Sequence, residues 1–142
     1  MTAAREERQQ MIRKLVRAQA IRTQNELANE LREHGCSVTQ ATISRDIADL
    51  NLQKNTNGVY VLSEDLRLHA LASAAIRHTL RAGNQVVIHT EPGSASSVAA
   101  AIDAAAAEGV LGSIAGDDTI LVIAQDEECG ARFQASIDEL IA

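Results

Sequence analysis

The chain predicts an α+β protein in two parts, and three observations lead there. Within the first sixty residues, two short helical periodicities separated by a tight turn precede an Asn-Gly hairpin. Beyond them the order reads helix, strand, helix, strand, strand, helix, with Gly116-Asp117-Asp118 joining the last two strands, which suits an antiparallel sheet packed with helices as an α/β sandwich. Charge is also divided unevenly: residues 1–62 carry nine Lys and Arg against seven Asp and Glu, a net of +2, whereas 63–142 carry four against twelve, a net of −8. A total of 142 residues accommodates two small domains, and the break in charge and pattern places them at 1–63 and 64–142.

The front part begins with a basic helix over about 4 to 18, in which Met11, Ile12, Leu15 and Val16 share a face and Arg5, Arg8, Arg13, Lys14 and Arg17 occupy the rest. Thr23-Gln24-Asn25-Glu26 fits a capping box: the threonine oxygen takes an orphan N–H and the glutamate reaches back. Leu27 and Leu31 follow, and Gly35 ends that helix. Ser37 or Thr39 caps the next one, where Ile43, Ile47 and Leu50 fall at i, i+4, i+7 and make one apolar stripe. Ser44 and Arg45 lie across from that stripe, and Ala41 and Ala48 share their arc. Two alanines keep the outer surface low, so the helix can sit deep in a DNA major groove about 12 Å wide, with Arg45 on guanine O6 and N7. Gln40 at the tip suits adenine, and Ser44 suits either base. Helix, tight turn, reading helix is a helix-turn-helix. The segment from Leu50 to Leu62, with Asn55-Thr56-Asn57-Gly58 at its centre, adds a hairpin and makes it winged, with Lys54 where a wing meets phosphate. A surplus of two positive charges is small for a DNA binder, because phosphate neutralisation supplies most non-specific affinity. Several copies in one assembly would offset this by raising effective concentration.

In the back part, Ser63 to Asp65 reads as a short linker. Leu66 to Ala82 reads as a helix carrying Leu68, Leu71, Ala75, Ile76 and Leu80, stopped by Gly83. Gln85 to Thr90 is a buried-looking strand closed by Glu91-Pro92-Gly93. Ser94 is placed to cap a helix running to Glu108, with Gly109 as its stop. Val110–Ala115 and Thr119–Ala124 are strands, and a last helix runs from about Glu127 to Leu140. The alanines at 99–101 and 104–107 favour helix intrinsically, and they equally permit close packing against copies of the same domain.

Several function classes find no support. Cys36 and Cys129 are too few and too distant for a disulfide framework or a four-ligand zinc site. No early apolar run resembles a signal peptide and no stretch suits a membrane span, so a cytoplasmic address is expected. Tyr60 and Phe133 are the only aromatics, which leaves almost nothing to stack single-stranded bases on. No nucleophile elbow, phosphate-binding glycine loop or Cys/His motif occurs. At Asp117 and Asp118 three readings stand open: good turn chemistry alone; an anionic pocket, with Asp103, for a guanidinium cation; or oxygen and nitrogen ligands, with His89, for the metal of a hydrolase.

Both halves together resemble the bacterial arginine repressors over nearly the whole length. The front carries Thr23-Gln24-x-Glu26-Leu27 and Val38-Thr39-Gln40-Ala41-Thr42-Ile43-Ser44-Arg45-Asp46-Ile47; the back carries Pro92-Gly93-x-Ala95 and Gly112-x-Ile114-Ala115-Gly116-Asp117-Asp118-Thr119. The resemblance implies a winged helix-turn-helix joined to an oligomerising domain that binds L-arginine as co-repressor, in hexamers built from two trimers, with no other cofactor and no catalysis. It places Gln40, Thr42, Ser44 and Arg45 on operator DNA. Asp117 and Asp118 would hold arginine where trimers meet, Asp103 would assist at the amino-acid end, and Ser96 would stand where several members have a longer residue such as glutamine, so that this contact is shortened or carried by water. The implied role is repression of arginine biosynthesis genes with activation of breakdown genes beside it; an architectural role in recombination is open to the same family.

Overall fold

The computed structural model describes residues 3–142. Residues up to Ser63 form one compact unit, and Glu64–Ala142 form another.

The first unit contains α1 (Ala3–Ala18), α2 (Gln24–Glu33), α3 (Gln40–Asp49), and a hairpin of β1 (Leu52–Lys54) and β2 (Tyr60–Leu62). Ile12, Leu15 and Val16 of α1 meet Leu27 and Leu31 of α2, Ile43 of α3, and Leu52, Tyr60 and Leu62 of the hairpin in one core. Each large side chain so buried contributes about 1.5–3 kcal/mol, enough together to hold short helices that would not persist alone. The ends of α2 are set by local chemistry. Thr23 Oγ1 accepts the Glu26 amide at 3.1 Å, while the Glu26 carboxylate accepts the Arg22 amide at 2.8 Å, one residue earlier than a standard capping box would have it. At the other end Cys36 N donates to Leu31 O at 2.8 Å and Gly35 N to Arg32 O at 3.0 Å, a Schellman closure. It requires the left-handed φ of +82° that Gly35 supplies. In the hairpin the Asn55 side chain accepts the amides of Asn57 and Val59 at 2.9 and 3.1 Å, preorganising the turn.

The second unit contains α4 (Ser63–Ala75), β3 (Ile76–Ala82), β4 (Gln85–Thr90), α5 (Ala95–Ala105), β5 (Val110–Ala115), β6 (Thr119–Ala124) and α6 (Glu127–Ile141). The four strands form an antiparallel sheet in the order β3-β4-β6-β5. The expected linker over Ser63–Asp65 is instead the first turn of α4, which follows β2 without a break. The expected helix over Leu66–Ala82 ends at Ala75, and its last seven residues are a strand. Ile76 and Leu80 are spaced for either structure, but the strand wins through pairing. The Val86 and Ile88 side chains of β4 are completely buried, and β6 serves only one edge of that strand, so the other would leave backbone amides and carbonyls unpaired. Gly83-Asn84 makes the two-residue turn that supplies β3, with Gly83 at φ +60°.

Ser94 precedes α5 but makes no side-chain cap bond, and α5 stops three residues short of Glu108, at a left-handed Ala106. The early stop lets Gly109 O accept the Gln125 amide at 2.7 Å and sends Val110 into β5. Asp126 caps α6 by accepting the Cys129 amide at 2.8 Å. Helices α4, α5 and α6 share one core with Ile76, Val86, Ile88, Ile120 and Val122, so they cover one face of the sheet. Strand alternation sends Leu80, Val87, Leu121, Ile123 and Ile114 to the opposite face. No described element of this unit packs into that core from there, and Leu80 and Ile114 are 55% and 76% exposed.

Candidate functional site

Two arrangements carry chemistry, one in each unit. In the first, Thr39 caps α3 by accepting the Thr42 amide at 3.2 Å. The Thr42 hydroxyl lies 3.0 Å from that of Thr39, so Thr42 is half-buried in the cap. Ala41, Ser44, Arg45 and Ala48, at i, i+3, i+4, i+7, are all exposed and form one arc. Arg45 Nε reaches back to Ala41 O at 3.4 Å. Gln40 donates to the Gln24 side chain at 3.0 Å, linking the N-terminal tips of α2 and α3. Lys54, at the end of β1, holds its ammonium 5.1 Å from the Tyr60 ring centroid, a cation–π contact that aims an exposed charge.

The opposite face of α3 holds a residue that periodicity alone did not single out. Asp46 is 1% exposed. Arg8 grips its carboxylate with Nε at 2.5 Å and a terminal nitrogen at 3.0 Å, and Gln9 donates at 3.2 Å. Burial pushes the Asp46 carboxyl up, but hydrogen bonds from Arg8 and Gln9 and the Arg8 charge outweigh it and hold the group below the usual carboxylate range. The Asp46 hydrogen bond raises Arg8 in turn.

In the second unit the Gly116-Asp117-Asp118 turn is stitched to the end of β4 and the segment that leads into α5. Thr90 N donates to Asp118 O at 2.7 Å, and Gly93 N and Ala95 N donate to Asp117 O at 3.1 and 3.2 Å. Both aspartate side chains remain exposed, Asp118 accepting the Thr119 hydroxyl at 3.0 Å. Ser96, in the first turn of α5, stands beside this turn and is exposed. Asp103 does not join it. It lies eight residues further along α5 than Ala95, about 12 Å at the helical rise, and accepts the Ser113 hydroxyl at 3.0 Å. One copy of the chain therefore sets the acidic turn against the start of α5, next to Ser96, while Asp103 bonds further along that helix.

His89 is likewise turned elsewhere, stacked on His78 with ring centroids 4.6 Å apart. Among the described residues no group of three or more His, Cys, Asp or Glu is placed to share a metal, so the four ligands proposed for a hydrolase are not brought together. Sequence reading also missed the neighbours of the acidic turn. Arg77 of β3 forms a two-pronged pair with Glu91 at 3.0 and 2.7 Å. Hydrogen bonding to Glu91 and the Glu91 charge, with a smaller contribution from Asp118, push the Arg77 guanidinium further up. The assignment of Ile76–Ala82 to a helix hid this cross-strand pair.

Comparison with known proteins settles the family. Residues 3–68 match the family described as the arginine repressor DNA-binding domain, and residues 72–139 match the arginine repressor C-terminal domain. The chain belongs to the arginine repressor family. Relatives named arginine repressor include one from Solibacter usitatus, 49% identical over 133 residues and 92% of each chain. One from Carboxydothermus hydrogenoformans is 43% identical over 94% of this chain and 97% of its own. Another, from Streptococcus pyogenes serotype M6, is 40% identical over 92% and 94%. The arginine repressor family is one of DNA-binding regulators rather than enzymes, and its DNA-binding match spans the capped α3 and the hairpin. No helix among the described residues is long and apolar enough to cross a membrane.

Proposed function

We propose that this protein is an arginine-dependent transcription regulator that represses arginine biosynthesis genes, with activation of breakdown genes as a second output, and that L-arginine is its co-repressor. Residues 1–63 form the DNA-binding domain and 64–142 the arginine-binding, oligomerising domain of a cytoplasmic regulator. The observation that carries the reading is the exposed arc of Ala41, Ser44, Arg45 and Ala48 on a capped helix whose other face is buried. Such an arc lets the backbone approach base edges and leaves Arg45 free for guanine. Ser44 and Gln40 read neighbouring bases; Thr42 acts from the cap, and Lys54 meets phosphate from the hairpin.

The sensing end works through charge. The Asp117 and Asp118 carboxylates, fixed by their stitched turn, take the ligand guanidinium in paired charge-assisted bonds. Ser96 and Asp103 complete the site, and the separation of Asp103 from the turn favours a site assembled from more than one copy. The uncovered apolar sheet face supports self-association, trimer to hexamer, because contiguous exposed apolar surface of this kind marks interaction sites. Carboxylates brought close in such an assembly repel, and bound arginine replaces repulsion with attraction. Arginine and operator DNA then strengthen each other's binding by the same factor. Fluorescence-anisotropy titration of operator DNA, with and without L-arginine, beside sedimentation under both conditions, tests the reading: DNA binding unaffected by arginine would overturn it.

A further inference from the structure

The buried ion pair between α1 and α3 has no part in base reading, yet it sits directly behind the reading arc. Asp46 follows Arg45 in sequence and is the one charged side chain that is buried among the described residues. Its partner comes from 38 positions earlier. Arg5, Arg8 and Gln9 fall at i, i+3, i+4 on α1, facing Asp46 and Asp49 at i, i+3 on α3. Arg5 pairs with Asp49, and Arg8 with Asp46, so the two helices are joined by two rungs.

Two physical consequences follow. Apolar contacts between α1 and α3 are non-directional and tolerate small rotations of one helix against the other, whereas a fork gripping a carboxylate at two points fixes orientation. Buried ion pairs add little net stability over apolar packing of the same volume, so orientation is the more specific return from placing one here. The second consequence is charge. Helix α3 carries one cation, Arg45, against the two anions Asp46 and Asp49; unpaired, it would be repelled by phosphate.

We propose that Arg8, supported by Gln9 and Arg5, is the positioning residue of the reading helix: it sets the rotation of α3 that turns Ser44 and Arg45 outward and neutralises the carboxylates behind them. This rests on the reading of α3 as the base-contacting element. It separates specific from non-specific binding, because phosphate attraction needs only surface charge, while base readout needs the helix in register.

The test uses the full chain with L-arginine present and two duplexes: one selected by the parent protein from a random library, and a scrambled duplex of equal length and composition. Arg8→Gln is expected to lower affinity for the selected duplex about tenfold more than for the scrambled duplex, whose smaller loss reflects only the Asp46 charge left uncompensated. Because Arg8→Gln strands a buried carboxylate and risks unfolding, Arg8→Gln with Asp46→Asn is measured beside it. The double variant is expected to regain thermal stability without regaining selectivity, since the fork is still missing. Selectivity that recovers in step with stability, or that never falls, would overturn the positioning role. A parent protein unable to tell the two duplexes apart would overturn the reading of α3 itself, and this inference with it.

Discussion

At the scale of single residues, Arg45 and Asp46 are adjacent in sequence and opposite in role. Arg45 is exposed on the outer arc and Asp46 is buried behind it. Arg45→Ala is expected to cost about 1–3 kcal/mol of operator affinity, the worth of one two-pronged base contact, while leaving the melting temperature unchanged; gel-shift titration and a thermal melt check both parts. Asp46 makes a prediction in pH. Its carboxyl is held below the ordinary value by Arg8 and Gln9 against the opposing effect of burial, so the folded state binds its proton more weakly than the unfolded chain does. The stabilisation is therefore complete above the unfolded value of about 3.9 and is lost as pH falls through the lower folded value. Asp46→Asn should melt earlier than the parent at pH 7, and the gap should close in acid below about pH 4. The outer arc was legible in the sequence because 3.6-residue periodicity states it directly. The inner pair was not, since only the packing of α1 on α3 brings Arg8 to a carboxylate 38 positions away.

At the scale of elements, the bounds of β4, β5 and β6 were legible from their apolar runs and flanking turns, and helix ends were legible where local chemistry sets them. Thr23 and Thr39 cap their helices with side-chain oxygens, and Gly35 closes α2 through a positive φ. Strand β3 was hidden because Ile76 and Leu80 also suit a helix and Gly83 reads equally as a helix stop. What decides for the strand is the unpaired edge of β4, a demand that arises only in the folded sheet. Glycine 109 shows the same dependence on tertiary context. It has φ +79°, and a Cβ there would lie 2.4 Å from Cys129 Sγ and 2.8 Å from its Cβ, whereas at Gly35 nothing lies within 4 Å. Gly35→Ala should therefore cost only the left-handed backbone penalty of about 1 kcal/mol. Gly109→Ala adds overpacking against α6 and should cost at least about 2 kcal/mol. Urea denaturation of both variants measures the difference; equal losses would mean that α6 yields without cost.

At the scale of the whole molecule, the sensing chemistry is split along the chain in a way that spacing could not reveal. Asp117 and Asp118 were visible as a turn, but their distance from Asp103 follows from the direction of α5, which starts beside Asp117 and carries Asp103 away from it. Asp118→Asn is expected to abolish arginine-dependent DNA binding while preserving the fold, read by calorimetric titration with L-arginine beside far-UV circular dichroism. The assembly itself makes the last prediction. Ile114 and Leu111 on β5 are 76% and 69% exposed, and Ile114 lies opposite Leu121 on the uncovered face of the sheet. A lone chain gains nothing from large apolar groups there, so replacing one should leave monomer folding intact. If that face joins copies, Ile114→Lys places an ammonium in apolar surroundings with no carboxylate in the β6 register beside it, and burying such an unpaired charge is far costlier than losing the isoleucine contact. Sedimentation velocity should then show the variant dissociating at protein concentrations at least about tenfold higher than the parent, a loss of 1.4 kcal/mol or more. Arginine should shift the variant back toward the assembled form, because ligand bound between copies adds its own binding energy to association. A variant that sediments like its parent would place the contact between copies on another face.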